Sequence, residues 1–503
     1  MDNTALTTLF NIFSLPFLLL LLLTLIFIIL INHKILTHSS SKRFTPLPPG
    51  PKPWPIIGNI LHLGKKPHAS LAHFAKLHGP LISLRLGSRL LVVASSPTSA
   101  AEILKTHDRL FSARTIPAAF PYGDGYLDRV AIVWNPSCSD HWKLLRAMCR
   151  TELFSAKAVE SQASLREKKV SEMMDFLSKK QGEVVNIGEI VFTTAFNTIS
   201  NLLFSKDLLS YEDHQGIASG LKNLITTTME LSTAPNIADF YPIFTRLDPQ
   251  GIKTKMANRL EKMFCVWEND IKKRRQTNKD SPQKDFLDIF LSKGFDDHQI
   301  NWLVLELFAA GVDTTTTVVE WAMTELLKER AILQNVAEEV DTEIQRSNIK
   351  ESDISKLEYV NACVKETLRL HPPAPFLIPR RAAETCEVMG YIIPKDSQVL
   401  VNVWAIGRDP SVWKDPLRFK PERFVLPNVE FKGHDFQLLP FGSGRRVCPG
   451  LAVASRQLVL ILASLIHGFD WSVHSSLDMN DRFGITLTKD SPLLVVPKLK
   501  RKS

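Results

Sequence analysis

The run FGSGRRVCPG, residues 441–450, constrains this chain more than any other stretch of it. It sets one thiol, Cys448, among fixed neighbours: Phe441, Gly444, Arg446 and Gly450. Glycines let the backbone turn tightly and approach a flat ligand where a Cβ would collide. Arg446, two residues before the thiol, suits a carboxylate at that ligand's edge. The proline-free apolar run Leu451 to Phe469 reads as a helix, and its N-terminal dipole favours an anionic sulfur. A buried free cysteine in a turn is the ordinary alternative. Four spaced constraints around one thiol point instead to a loop that presents a thiolate to a haem.

The body should be globular. Hydrophobic residues make up 45% of the 503 and charged residues 22%, enough to bury a large core. Length alone would allow three or so domains, but there is no internal repeat and no second boundary after residue 55. The cysteines at 138, 149, 265, 363, 386 and 448 show neither paired nor zinc-like spacing, which fits a reducing compartment.

From Phe13 to Ile31 only Ser14, Pro16 and Thr24 interrupt 19 residues of apolar chain, close to a bilayer's hydrocarbon thickness. Asp2 and the lack of a basic start argue against a cleaved signal peptide. Lys34, Lys42 and Arg43 follow, which predicts that this flank and the body are cytosolic. Next comes a run of prolines from Pro46 to Pro55, too rich for helix or central strand and read as a semi-rigid tether. The expected organisation is a membrane anchor over 1–32, a basic and proline-rich tether over 33–55, and a single catalytic domain over 56–503. The net charge of +9 is not gathered into blocks with interleaved aromatics, so no nucleic-acid binding is expected. An acidic redox partner and anionic lipid are the more economical uses of that charge.

Leu81 to Leu86 and Arg89 to Ala94 alternate around a glycine turn and predict a hairpin. Residues 139–370 are mostly helical in pattern, and a second small sheet is expected from Glu387 to Val403. Asp297 to Arg330 has no proline and carries apolar residues at helical spacing, enough for a helix of about 50 Å at about 1.5 Å per residue. Ala310-Gly311-Val312-Asp313-Thr314 falls in its middle, where glycine costs roughly 1 kcal/mol relative to alanine. If that face packs over haem, Gly311 makes room for dioxygen, Thr314 offers a hydroxyl and Asp313 an acid for proton delivery. Hydroxyls bonded back to their own helix are the alternative. Trp142 and Arg146, four apart on a helix, suit a haem carboxylate; a core tryptophan beside a solvated arginine competes. Arg380 is a third candidate, with Arg381 beside it as rival.

The thiol loop and the Ala310–Thr314 segment closely resemble the haem-binding loop and the oxygen-activating helix of the cytochrome P-450 family. Trp142/Arg146, Glu366/Arg369, Pro421 to Phe424 and the proline tether follow that family's order, and the tether with PFGSGRRVCPG is similar to the plant microsomal type. The resemblance implies a mainly α fold with small β-sheets (α+β) behind an N-terminal transmembrane anchor. It implies haem b (iron protoporphyrin IX) on Cys448, with Trp142, Arg146, Arg380, Phe441, Gly444, Arg446 and Gly450 around the cofactor. Asp313 and Thr314 would be catalytic. Glu366, Arg369 and Arg423 would form a buried structural network. The pocket would draw on Phe308, Ala309, Gly311, Val312, Ala374, Phe376, Leu377, Ile485 and Thr486, with Asp124 and Asp128 as acids for a cationic amine. No flavin or nicotinamide motif is present, so electrons must come from NADPH through a separate cytochrome P-450 reductase. The implied activity is monooxygenation, with O2, of a small apolar plant metabolite at the endoplasmic reticulum membrane. An alkaloid or its precursor is nearest, then a monoterpene or other terpenoid, or coupling and rearrangement without oxygen insertion. A non-catalytic haem sensor and a haem-free scaffold are the contrasting classes.

Overall fold

The alternating runs pair as an antiparallel hairpin of β1 (Leu81–Leu86) and β2 (Arg89–Ala94), with Leu86 opposite Arg89. Gly87 makes the turn at φ 59°, a conformation that side chains resist. In this computed structural model the described residues are 46–212, 217–277, 285–425 and 429–500, with short pieces at 19–20, 22–24 and 26–27. The further strands are β3 (Val185–Asn186), β4 (Arg380–Arg381), β5 (Cys386–Val388), β6 (Tyr391–Ile393), β7 (Gln398–Val401), β8 (Phe469–Val473), β9 (Asp481–Arg482), β10 (Thr488–Lys489) and β11 (Leu494–Leu499). They form one sheet in the order β1-β2-β7-β4, a second in the order β3-β11-β8, and the hairpins β5–β6 and β9–β10.

Helix supplies the rest. Its longer elements are α1 (Pro67–His78), α2 (Asp140–Glu152), α3 (Ala163–Lys179), α4 (Ile187–Phe204), α5 (Ile217–Thr233), α6 (Ile252–Thr277), α7 (Asp297–Lys328), α8 (Arg330–Glu343), α9 (Glu358–Leu370) and α10 (Leu451–Gly468). The chain is helix-rich with small sheets, as expected. Asp296 and Gln299 close a capping box at the start of α7, which fixes its first turn. Its 32 residues then cross the domain. Ile300, Leu303 and Val304 enter one apolar cluster, and Val318, Met323 and Leu326 enter another that includes α9 and α10. A helix that is apolar all round belongs inside a core, and α7 joins the two.

The prolines do not hang free. Pro49 accepts from Ser83 N at 2.9 Å, Pro46 accepts from Ile392 N at 3.1 Å, and Pro51 accepts from the Asn59 amide at 3.1 Å. Prolines of the 46–55 run thus bond to β6, to β1 and to Asn59, their free carbonyls accepting from neighbouring N–H groups. The expected anchor, Phe13 to Ile31, lies largely outside the described residues. Its described pieces are helical, and Leu20 and Phe27 are exposed.

Candidate haem site

The thiol loop folds on its own glycines. Gly442 and Gly444 take φ 70° and 71°, and a Cβ on Gly444 would lie 2.4 Å from both Asp108 Oδ1 and Leu104 O. A single turn of 3-10 helix, Gly444–Arg446, follows, and Cys448 N donates to Phe441 O at 2.9 Å, closing the loop. Phe441 anchors it against Phe431, with ring centroids 5.3 Å apart. Cys448 is half-buried at the start of α10, where Gly450 is the N-cap. Burial pushes its thiol up, and the pull of the Gly450 and Leu451 N–H groups and of Arg146 does not overcome it. The helix N-terminus alone does not offset that burial, and a metal bound to the sulfur would favour the thiolate.

Four guanidinium groups converge beside this loop. Arg446 donates to the carbonyls of Ser112 (2.9 Å), Ile132 (3.0 Å), Asn135 (2.9 Å) and Ser137 (3.1 Å). Arg146 donates to Val447 O. Arg380 turns inward, 3.6 Å from Asp108, whereas Arg381 turns out to Asp396 at 2.6 Å. Arg114, which sequence reasoning missed, is buried, donates to Pro379 O at 3.1 Å and keeps its Nε without a hydrogen-bond partner. Burial, then Arg446, Arg380 and Arg146, push the Arg114 guanidinium well down. Four guanidinium groups against the two nearby carboxylates of Asp108 and Glu306 leave an excess of positive charge that an added anion would offset. A flat cofactor with two carboxylates fits that requirement.

Trp142 is spoken for otherwise: its indole N–H donates to Ile132 O at 2.9 Å, and Arg446 lies over its ring. The same stretch, 132–134, is gripped from α7 by Glu306, a second residue missed in the sequence. Its buried carboxylate accepts from Ile132 N (2.7 Å), Val133 N (3.0 Å) and Trp134 N (3.2 Å). Burial raises this carboxyl, and the three N–H groups oppose that rise.

Further along α7, Ala310 is exposed although the turns on either side are buried, and Thr314 is half-exposed. This is the open side of the helix. Thr314, Thr315 and Thr316 all donate back, to Ala310 O (2.7 Å), Gly311 O (2.8 Å) and Val312 O (2.9 Å). Asp313 is half-buried. Phe308 and Val312 are buried in the neighbouring apolar cluster. Phe308 stacks on Phe196 at 4.3 Å and on Trp267 at 5.8 Å, and Val312 is fully buried in the same cluster. Gly311 is half-exposed, and Ile199 of α4 packs where its side chain would be, with Cδ1 2.6 Å from a Cβ there. Phe376 belongs to the sheet core, edge-on to Phe483 at 5.8 Å. Ala309, Ala374, Leu377, Ile485 and Thr486 are half-buried and remain available as lining. Asp124 is exposed, and Asp128 accepts from Ser137 Oγ at 3.1 Å, so neither is turned to an apolar pocket.

Behind the loop, Glu366 and Arg369 form a fully buried two-pronged pair at 2.6 and 2.8 Å, and Arg423 Nε reaches the same carboxylate at 3.1 Å. The Arg369 fork also donates to Gly407 O and to Pro416 O (2.8 Å), so it ties α9 to the segment that leads to the thiol loop.

The family model described as Cytochrome P450 matches residues 48–496. A probable (S)-N-methylcoclaurine 3'-hydroxylase isozyme 2 of Coptis japonica is 49% identical over 90% of this chain and 93% of its own length. An (S)-N-methylcoclaurine 3'-hydroxylase isozyme 1 of Eschscholzia californica is 45% identical over 90% and 94%. Corytuberine synthase of Coptis japonica is 46% identical over 91% and 95%. The chain belongs to the cytochrome P450 family, the haem-thiolate monooxygenases that draw their electrons from a reductase.

Proposed function

We propose that this chain is a membrane-bound monooxygenase of plant alkaloid metabolism, acting on a molecule of the (S)-N-methylcoclaurine kind. The observation that carries the reading is the crowd of buried guanidinium groups around the Cys448 loop, which suits the two carboxylates of haem. Likeness to N-methylcoclaurine hydroxylases across nine-tenths of the chain supplies the substrate class.

In this reading Cys448 would hold the haem iron through its sulfur, and Arg114, Arg146 and Arg380 would meet the haem carboxylates. Arg446 and Trp142 act one step back, holding the Ile132 carbonyl. Haem, when bound, supplies oxygen activation, with a thiolate that favours cleavage of the dioxygen bond. Asp313 and Thr314 lie at the partly open turn of α7, where Asp313 would serve as the proton source and Thr314, once its hydroxyl leaves Ala310 O, as the donor to bound oxygen. Ala309, Ala374, Leu377 and Ile485 exclude water and orient an apolar ring.

The membrane part of the proposal rests on exposed apolar residues. Trp54, Leu61, Ile243 and Leu247 are 59%, 72%, 82% and 71% exposed. Tyr241 OH donates to Ile56 O at 3.1 Å, so the segment near 243 and the chain emerging from the anchor are joined. Such a patch suits the surface of the endoplasmic reticulum bilayer, with a single anchor over 1–32 and the catalytic body cytosolic. The packing of residues 46–55 favours a body that begins near Pro46 rather than at 56. Lys143 and Arg150 on α2 offer positive charge to NADPH-cytochrome P450 reductase.

The test is co-expression with that reductase in microsomes fed (S)-N-methylcoclaurine. A product heavier by one oxygen atom is expected, and its absence with fully haem-loaded protein would overturn the substrate assignment. A second reading, oxidative coupling without oxygen insertion, would show in the same experiment as loss of two hydrogens without added oxygen.

A further inference from the structure

The turn Phe483–Leu487 joins β9 to β10 and carries Ile485 and Thr486 to the proposed pocket, and its two stems are held differently. On the β10 side, Lys489 Nζ sits 4.5 Å from the ring centroid of Trp321 on α7, and Leu487 N donates to Pro373 O at 2.8 Å. On the β9 side the hold comes from far away in sequence. Asp481 Oδ1 lies 2.7 Å from Lys66 Nζ and Oδ2 lies 3.3 Å from His68 Nε2, both at the start of α1.

His68 is fully buried, and its Nε2 lies 3.3 Å from Asp481 Oδ2. Its ring stacks on Phe483 at 5.7 Å and meets Trp404 edge-on at 4.9 Å, and Phe483 in turn touches Phe376. Burial raises the Asp481 carboxyl, but His68 and Lys66 together outweigh it and hold the group well below the usual carboxylate range. The acid is thus charged and anchored at the root of a five-residue turn. A turn that short transmits a shift of its stem directly to its tip.

We propose, on the pocket reading given above, that Asp481 is a positioning residue: through Lys66 and His68 it fixes where Ile485 and Thr486 stand over the haem and so sets which apolar molecules fit. Neither Asp481 nor its partners touch the reacting atoms. Their effect falls on selection of the ligand, not on haem retention.

The test uses the full-length holoenzyme and two haem ligands, imidazole, too small to reach the turn, and 4-phenylimidazole, whose ring must pass it. Asp481→Asn and Lys66→Met should each weaken 4-phenylimidazole relative to imidazole by about fivefold, and the double variant no further, as coupled partners do. The carbon monoxide difference spectrum should stay unchanged. An unchanged ratio in both variants, or effects that multiply in the double variant, would overturn the proposal. Should Asp481→Asn lose haem, Lys66→Met, changed at a half-exposed side chain, decides alone. Ile485→Ala separates the two ideas: if it leaves the ratio unchanged, the pocket reading itself fails, and the pin with it. If it shifts the ratio while Lys66→Met does not, only the pin fails.

Discussion

Trp142 and Arg446 share one acceptor: the indole N–H and the guanidinium reach the carbonyl of Ile132 at 2.9 and 3.0 Å, and the guanidinium carbon stands 4.5 Å from the indole centroid. Trp142→Phe keeps the stacked ring, and Arg446 still satisfies the carbonyl. The expected loss is about 1 kcal/mol. Arg446→Lys strips donors from Ser112, Asn135 and Ser137 at once, because a lysine cannot reproduce the planar fork. Its thermal midpoint for haem release should fall well below that of Trp142→Phe.

Arg380 and Arg381 are neighbours with opposite fates. Arg381→Met breaks a surface pair with Asp396 and should change stability by no more than about 1 kcal/mol. Arg380→Met removes a buried cation beside the thiol loop and should speed haem transfer to a scavenging globin by about tenfold or more. Equal transfer rates for the two variants would contradict the assignment of Arg380 to the cofactor.

A Cβ added at Gly311 would point at Ile199 of α4. Gly311→Ala should therefore lower the melting temperature, by crowding worth about 1–3 kcal/mol less the roughly 1 kcal/mol gained in helix propensity. Ile199→Val, which deletes the clashing Cδ1, should restore it. Were the glycine instead needed for space over the haem, Ile199→Val would leave the defect in place.

These residues also show what a sequence can and cannot tell. The β1–β2 hairpin, α7 and the thiol loop were legible because their signals are local: alternation, helical spacing, and glycines around one cysteine. Arg114 was not, since its carbonyl partner Pro379 lies 265 residues away and nothing in its own loop marks it. Which side of α7 is open was not legible for a related reason. Apolar residues occupy more than one side of that helix, so periodicity could not separate Phe308, packed on Phe196 and Trp267, and the buried Val312 from the exposed Ala310 and half-exposed Thr314. The proline run was readable as non-helical, but its docking on Ser83 depends on a strand formed later in the chain.

His371 gives a pH dependence with a definite sign. Its ring stacks on Trp321 at 4.0 Å and its Nε2 lies 2.8 Å from Glu325. Burial lowers its pKa from 6.5 to about 4, against the pull of Glu325. The unfolded chain therefore binds the extra proton first, and stability falls as pH drops from about 6.5 toward 4. Glu325 also has a lowered pKa, the pull of His371 and Lys328 outweighing burial, so it adds a loss only in stronger acid, below its ordinary value of 4.5. His371→Gln, which can still donate to Glu325, should flatten the melting temperature across the upper window and leave the lower one.

The account stands on the sulfur of Cys448 as a haem ligand, and the carbon monoxide difference spectrum of the reduced full-length protein tests it most directly. The native protein should show the long-wavelength Soret band of a thiolate-bound carbonyl, and Cys448→His should retain haem but shift that band to the shorter wavelength of an imidazole complex. A native spectrum already of the imidazole type, or one unaltered by the substitution, would contradict it.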